Sequence, residues 1–313
     1  MNPRASLATR REYCLLGNLF VAWLEETRAG VKTWADLTVK ILQGYVRHCQ
    51  ETLRLSHDQT RKRLYVIKAT SRYLADTYGF ADVARVVWLK RSQENPLEAS
   101  ARESRKAFPA EDLMVFLGLL REQRPPLYPV ACLQGLCGLR VLEAVNLREQ
   151  DIDFAKGTVT VTETPFHKPK NRSSHRSIPV SAMVLSILRE WIDGLKVRRD
   201  DGVLFATDRG NAPWSVSGYC HAMRRAISSA WRDSGLESLR HFKGHWLRAT
   251  FVSLVRSRRA DFRLLQADIG HAPSDVLGRH YEVIDTAVLR DEIVSRMAQI
   301  WHESGPARNT ESI

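Results

Sequence analysis

Apolar residues recur along this chain mostly at spacings of three and four, the period of a helix with one face turned inward. A first run spans Glu12 to Glu26, with Leu15, Leu19, Trp23 and Leu24 on the expected inner face, and a second runs from Leu37 to Leu53. A third, from Asp58 to Tyr78, sets Leu64, Ile67, Leu74 and Tyr78 on one side while Arg61, Lys68 and Arg72 line a neighbouring one; Gly79 closes it. From Ser92 to Pro109 the sequence is polar, charged and interrupted by Pro96, with no apolar period, as in an interdomain linker. The helical period resumes at Ala110–Glu122, Leu127–Gln134, Ser181–Leu195, Val216–Arg232 and Asp261–Asp268, and Asp285 to Trp301 forms a last amphipathic stretch before a polar tail.

One segment breaks this period. Thr158-Val159-Thr160-Val161-Thr162 is β-branched throughout, Lys156-Gly157 is a turn signal, and Ser177-Ile178-Pro179-Val180 can close a small antiparallel sheet. The expected fold is therefore mainly α, in two domains: a helical N-terminal domain (1–92), a linker (93–109), a larger, mostly helical α/β domain with a small antiparallel sheet (110–304) and a tail (305–313).

Composition narrows the partner. The chain has 313 residues and a formal net charge of +12, which favours an anionic ligand, nucleic acid ahead of an anionic membrane surface. No run of about 18 apolar residues is present, and Met1 to Arg11 lacks the apolar core of a secretory signal, so a cytoplasmic protein is expected. The five cysteines are scattered, without the paired spacing of a zinc site or disulfide framework. His241 and His245 have no third metal ligand beside them, and no Gly-x-x-x-x-Gly-Lys-Ser/Thr loop occurs; neither a metal nor another cofactor is expected.

The basic charge is concentrated where chemistry is possible. Between Glu237 and Arg259 there are six Lys or Arg against the single acid Glu237. His245 and Arg248, three apart, share a helical face, while Leu247, Phe251, Leu254 and Val255 recur at core spacing beside them. Arg140 follows Gly138 at the mouth of a short helix, among Leu139, Val141, Leu142 and Val145, where a buried, ligand-directed guanidinium is expected. The run Pro169-Lys170-Asn171-Arg172-Ser173-Ser174-His175-Arg176-Ser177-Ile178-Pro179 belongs to a basic hairpin: from Pro165 to Arg176 there are four Lys or Arg and no acid. Arg61, Lys68, Arg72, Lys168, Arg172 and Lys243 are the candidate DNA contacts.

In order, Arg140, Lys170, His245, Arg248, His271 and Tyr281 resemble the catalytic set of the tyrosine recombinase (phage integrase) family, which includes Xer-like, Cre-like and integron integrases. The resemblance covers Pro109 to the C-terminus strongly and the N-terminal third in general character. Trp246 and Ala249 stand where the family usually has Asp and His, and His271 to Tyr281 is one residue longer than usual; His280 is a rival for a histidine role. Lys168 competes with Lys170, which fits the Pro-Lys-x-x-Ser-Ser-x-Arg-x-Ile-Pro run better.

The resemblance implies a helical, SAM-like core-binding domain and a catalytic domain that clamp a DNA duplex carrying a specific recombination site. It also implies a homo-oligomer on DNA, a tetramer, in which the segment 285–301 can dock on a neighbouring protomer or complete its own core. Breaking a phosphodiester without a metal needs positive charge on the pentavalent phosphorane, a nucleophile and a proton donor. The family assigns these to Arg140, Arg248 and His271, to Tyr281, and to Lys170, with His245 as general acid/base; the product is a 3′-phosphotyrosyl link that conserves bond energy. Two rivals remain: a type IB topoisomerase-like enzyme that reseals the same strand, and a sequence-specific DNA-binding regulator without catalysis.

Overall fold

The computed structural model describes residues 7–27, 30–89, 107–164, 166, 175–207, 213–270 and 286–304. It divides into two compact units, Met1–Asn95 and Pro96–Ile313.

The first unit is helical. Helix α1 (Leu7–Glu26), α2 (Val39–Arg47, continued by a π-helical turn at His48–Thr52) and α3 (His57–Tyr78) enclose a core of Phe20, Leu42, Tyr45, Cys49, Leu64 and Ile67. Sequence dictates the ends of α3: Ser56 and Gln59 form a reciprocal capping box, and Gly79 takes the left-handed conformation that closes the last turn. Two expectations fail here. Leu15 and Leu19 are 59% and 38% exposed and Tyr78 is 64% exposed, because α1 meets its neighbours through Phe20, Trp23 and Leu24 and the last turn of α3 passes beyond the core. Periodicity identifies a helix but not how much of its apolar face is covered.

The second unit is built around α5 (Tyr128–Cys137), buried at every position from Pro129 to Cys137. Helix α4 (Ala110–Gln123) packs on it, and Phe108, just ahead of α4, stacks on Phe242 with ring centroids 3.6 Å apart. After the five-residue α6 (Val141–Val145), strands β1 (Ile152–Asp153), β2 (Thr158–Val161) and β3 (Arg176–Pro179) form an antiparallel sheet in that order, with Val159 opposite Ile178. Helices α7 (Ala182–Asp193) and α8 (Val216–Ser234) follow; Tyr219 of α8 is fully buried and its hydroxyl accepts a 2.7 Å hydrogen bond from Gln134 Nε2. Helix α9 (Leu247–Ser257) lies against α5 through Leu247, Phe251 and Val255, with Leu254 at the core margin, and α10 (Phe262–Asp268) comes next.

The chain's last described segment is α11 (Thr286–Leu289), a π-helical turn (Arg290–Val294) and α12 (Ser295–Ser304). Ile293, Met297 and Ile300 join the core of their own unit and Leu289 is buried, while Val288 is 48% exposed. Polar bonds hold the segment down as well: the Arg290 guanidinium donates to the carbonyls of Lys156 and Gly157, and the Glu292 carboxylate accepts from the Asp261 N–H at 2.8 Å. Among the described residues no helix is long and apolar enough to cross a membrane.

Candidate active site

The site begins where α5 ends. Gly138 has φ +68°, and a Cβ there would lie 2.5 Å from the Phe251 ring, so only glycine lets α5 stop against α9 at this distance. The chain then turns through buried Leu139 and places Arg140 as the N-cap of α6. Glu143, three residues on, accepts from the Arg140 backbone N–H at 2.9 Å and from its guanidinium at 2.7 Å. The same carboxylate receives two bonds from Arg176 at the start of β3, at 3.2 and 3.0 Å. One buried acid thus orients two arginines from different elements.

The opposite wall is the end of α10. Three successive backbone carbonyls each take one arginine: Asp268 O accepts from Arg176 Nε at 2.6 Å, Ile269 O from Arg248 at 2.7 Å and Gly270 O from Arg140 at 3.0 Å. Terminal carbonyls of a helix lack partners within it and carry its negative dipole end, so guanidiniums suit them twice over. Arg248, on the first turn of α9, also donates to Gly138 O at 2.5 Å.

Electrostatics follow from this crowding. Burial alone raises the Glu143 carboxyl, but Arg176 and then Arg140 outweigh it and pull its pKa down to about 2. Arg248 is pushed down to about 10, by burial first and the like charge of Arg140 second, and so stays protonated at neutral pH. Asp268 is pushed up to about 7 by burial, which Arg176 and Arg248 only partly oppose. Three guanidiniums beside one ionised carboxylate leave a net positive site. Such preorganised charge can bind a phosphodiester and stabilise added negative charge on it without reorganising.

The other sequence candidates are distributed unevenly. His245 lies in the 3₁₀ turn Gly244–Trp246 that leads into α9, rather than on the helix with Arg248, and its ring is exposed beside Trp246 with centroids 5.9 Å apart. Lys243 is exposed, its ammonium 5.7 Å from the Trp246 ring centre. Arg140 is half-buried rather than buried, with 37% of its side chain exposed, and Leu142 beside it is 37% exposed. Ala249 is half-buried on α9. Lys168, Lys170, Arg172, His271, His280 and Tyr281 lie outside the described residues. In the first unit, Arg61 and Arg72 are exposed on α3 and pair along it with Asp58 and Asp76, at 3.1 and 3.7 Å, while Lys68 reaches Arg85 O at 3.4 Å.

Sequence reasoning missed the roles of Glu143 and Arg176. The signal for Glu143 was its place three residues after an N-cap, the spacing that lets a carboxylate reach back to the cap; Arg176 stood within the hairpin run but was read only as basic charge.

Residues 111–286, more than half of the chain, match the Phage integrase family. The chain belongs to that family, the tyrosine recombinases. Among curated proteins it is 30% identical over 137 residues to a tyrosine recombinase XerC of Azotobacter vinelandii, covering 43% of this chain and 40% of that protein. The match thus spans about two fifths of that relative's length. In fold, it resembles the Tn1549 transposon integrase in complex with a circular intermediate DNA (TM-score 0.69, 15% identity, 95% of each chain). It also resembles the XerH site-specific recombinase bound to a palindromic difH substrate (TM-score 0.65, 16% identity, 96% of this chain and 80% of that one).

Proposed function

We propose that this protein is a site-specific DNA recombinase that breaks and rejoins strands through a 3′-phosphotyrosyl intermediate on Tyr281. The observation that carries the reading is the convergence of Arg140, Arg176 and Arg248 on the carbonyls of residues 268–270, directly before His271. Family membership supports it, as do the DNA complexes of the proteins it resembles in fold.

In this reading the scissile phosphate sits on Arg140 and Arg248, whose remaining N–H groups bind the nonbridging oxygens. Arg176, more deeply buried, positions Glu143 and the end of α10 rather than touching DNA. Tyr281 attacks phosphorus and transfers its proton to His245 or the phosphate, His271 adds a donor, and Lys170 protonates the departing 5′ oxygen. Strand exchange follows when a different 5′ hydroxyl attacks the phosphotyrosyl bond. The first unit, through Arg61, Lys68 and Arg72, and the second, through Lys168, Arg172 and Lys243, hold opposite sides of the duplex as core-binding and catalytic domains. No metal ion or other cofactor enters these steps, and the protein works in the cytoplasm on chromosomal or mobile DNA.

Assembly is proposed as a homotetramer on DNA. Within the segment 285–301, Ile293, Met297 and Ile300 pack in the core of their own unit, so a role between protomers takes the form of exchange, with Ile293 and Met297 leaving one core for a neighbour's. Arg290→Ala, which loosens the segment without removing it, should then change the tetramer fraction on two-site DNA; an unchanged fraction argues against exchange. For catalysis, a suicide substrate nicked near the cleavage point should trap a covalent adduct on the wild type and none on Tyr281→Phe. An adduct that persists in that variant overturns the assignment.

A further inference from the structure

His245, the general acid/base of the reading above, is carried by the 3₁₀ turn Gly244–Trp246 rather than by a longer element, and its imidazole is exposed. A side chain on so short a turn is aimed only as well as the turn is held, and here the core grips the residue on each side of it. Before His245, Gly244 rests on α8: a Cβ there would lie 2.6 Å from Met223 Cγ, and Met223 is fully buried. After it, Trp246 is half-buried, its ring perpendicular to that of Phe242 with centroids 5.6 Å apart. Phe242 is covered in turn by Phe108 at 3.6 Å and flanked by Phe116 of α4 at 6.4 Å. Hydrogen bonds follow the same path. The hydroxyl of Thr250, buried in the first turn of α9, donates to the Trp246 carbonyl at 3.0 Å, and its oxygen accepts from the Phe108 N–H at 3.1 Å. The Trp246 N–H donates to Lys243 O at 2.7 Å, which closes the turn around His245.

We propose that Trp246 is a positioning residue for His245, with Phe108 and Thr250 acting through it. The proposal rests on the recombinase reading for what His245 does, and on this packing for how it is aimed. The imidazole and indole rings lie 5.9 Å apart and 79° to each other, so the ring that Phe242 fixes is also the one beside His245. A small residue at 246 would remove that wall and release the turn from Phe242, leaving the imidazole to swing. Proton transfer is sensitive to such motion: a group has to be held within about 0.5 Å, and a misplacement of about 1 Å costs about 100-fold in rate. DNA affinity, spread over many phosphate contacts, is not comparably sensitive. Phe108, Phe242, Trp246 and His245 form a continuous line of ring contacts, so the place where the linker enters the second unit reaches the imidazole through side chains alone.

The first test needs neither DNA nor catalysis. With histidine ring carbons labelled and the His245 signal assigned from a His245→Gln sample, relaxation should give the wild-type imidazole an order parameter of about 0.8, and Trp246→Ala should bring it below about 0.6. The second test compares rates at saturating DNA. Trp246→Ala should slow single-turnover cleavage about 30–100-fold with affinity within about threefold of the wild type, and Trp246→Phe should restore most of the rate. Thr250→Val, which keeps the shape and removes the hydroxyl, should show the same split at about tenfold. In a His245→Ala background, Trp246→Ala should slow cleavage by less than about threefold, because nothing is left to aim; a residue that only supports the fold has the same effect in both backgrounds. If Trp246→Ala does not melt cooperatively, Thr250→Val carries both comparisons. A mobile imidazole in the wild type, equal order in wild type and variant, or the full rate penalty persisting without His245 overturns the proposal. A wild type that cleaves no DNA overturns the recombinase reading instead, and the ring order still decides how His245 is held.

Discussion

Arginines occur in two settings in this molecule, and the contrast separates charge that can adapt to a ligand from charge that is set in advance. On α3, Arg61 and Arg72 stand in solvent, paired among the described residues with acids one turn away on the same helix. Exposed pairs of that kind are worth little, and the side chains are free to exchange an acid for a phosphate. Arg140, Arg176 and Arg248 are instead fixed by Glu143 and by carbonyls from two different elements. Their positions do not depend on the ligand. The first set can follow an irregular backbone; the second can recognise one geometry, including that of a transition state.

The contrast is most sharply broken at Glu143. Replacing it with Gln leaves two guanidiniums without their buried counter-charge, a loss of about 3–5 kcal/mol for a broken buried pair, readable as a large fall in Tm. The same carboxylate should govern acid stability: its contribution is complete above its ordinary pKa of 4.5 and is lost as pH falls towards 2. Arg248→Ala should come next, slowing cleavage of bound DNA by about 10²–10³-fold while changing affinity only a few-fold, as measured by single-turnover cleavage beside a binding isotherm. Affinity collapse with normal cleavage of bound DNA would make it a docking residue.

Asp268 gives a smaller effect of opposite sign. Between its ordinary pKa of 3.8 and its folded value of about 7, the folded protein keeps a proton that the unfolded chain has released, so stability falls as pH rises. From pH 5 to 8 the fall should be roughly 2–3 kcal/mol by denaturant titration, and Asp268→Asn should remove it. Smallest is α3: Arg61→Ala or Arg72→Ala should weaken DNA binding a few-fold, reduce the slope of log affinity against log salt by about one, and leave cleavage of bound DNA unchanged.

Much of the fold was legible because local chemistry and global packing agree. The cap at Ser56 and the stop at Gly79 bracket α3 in sequence as in space, and the Thr158–Val161 run alternates into a strand because β-branched side chains suit it. Where two packing arrangements satisfy one pattern, sequence is silent: the stripe of Val288, Leu289, Ile293 and Met297 fits its own core or a neighbour's equally well. Arg140 and Arg248 were singled out by spacing and company, yet the partners that hold them were not. Carbonyls of residues 268–270 have no side-chain identity to read, and Glu143 looks like any first-turn acid until the fold brings Arg176 to it. The hairpin lysines and Tyr281 rest on motif alone.

The way Arg140, Arg176 and Arg248 are anchored also bears on when the protein becomes competent. Arg140 is tied to Gly270, 130 residues later, Arg176 to Asp268 across 92 residues, and Arg248 back to Gly138 across 110. Contacts so distant in the chain form late, after loop closure has been overcome. During synthesis the elements through α9 can fold as they emerge, with Glu143 and the Gly138 carbonyl available to their arginines, but the carbonyls of residues 268–270 join only when the end of α10 arrives. A nascent or truncated chain ending before residue 268 therefore lacks the three carbonyls that complete the arginine cluster.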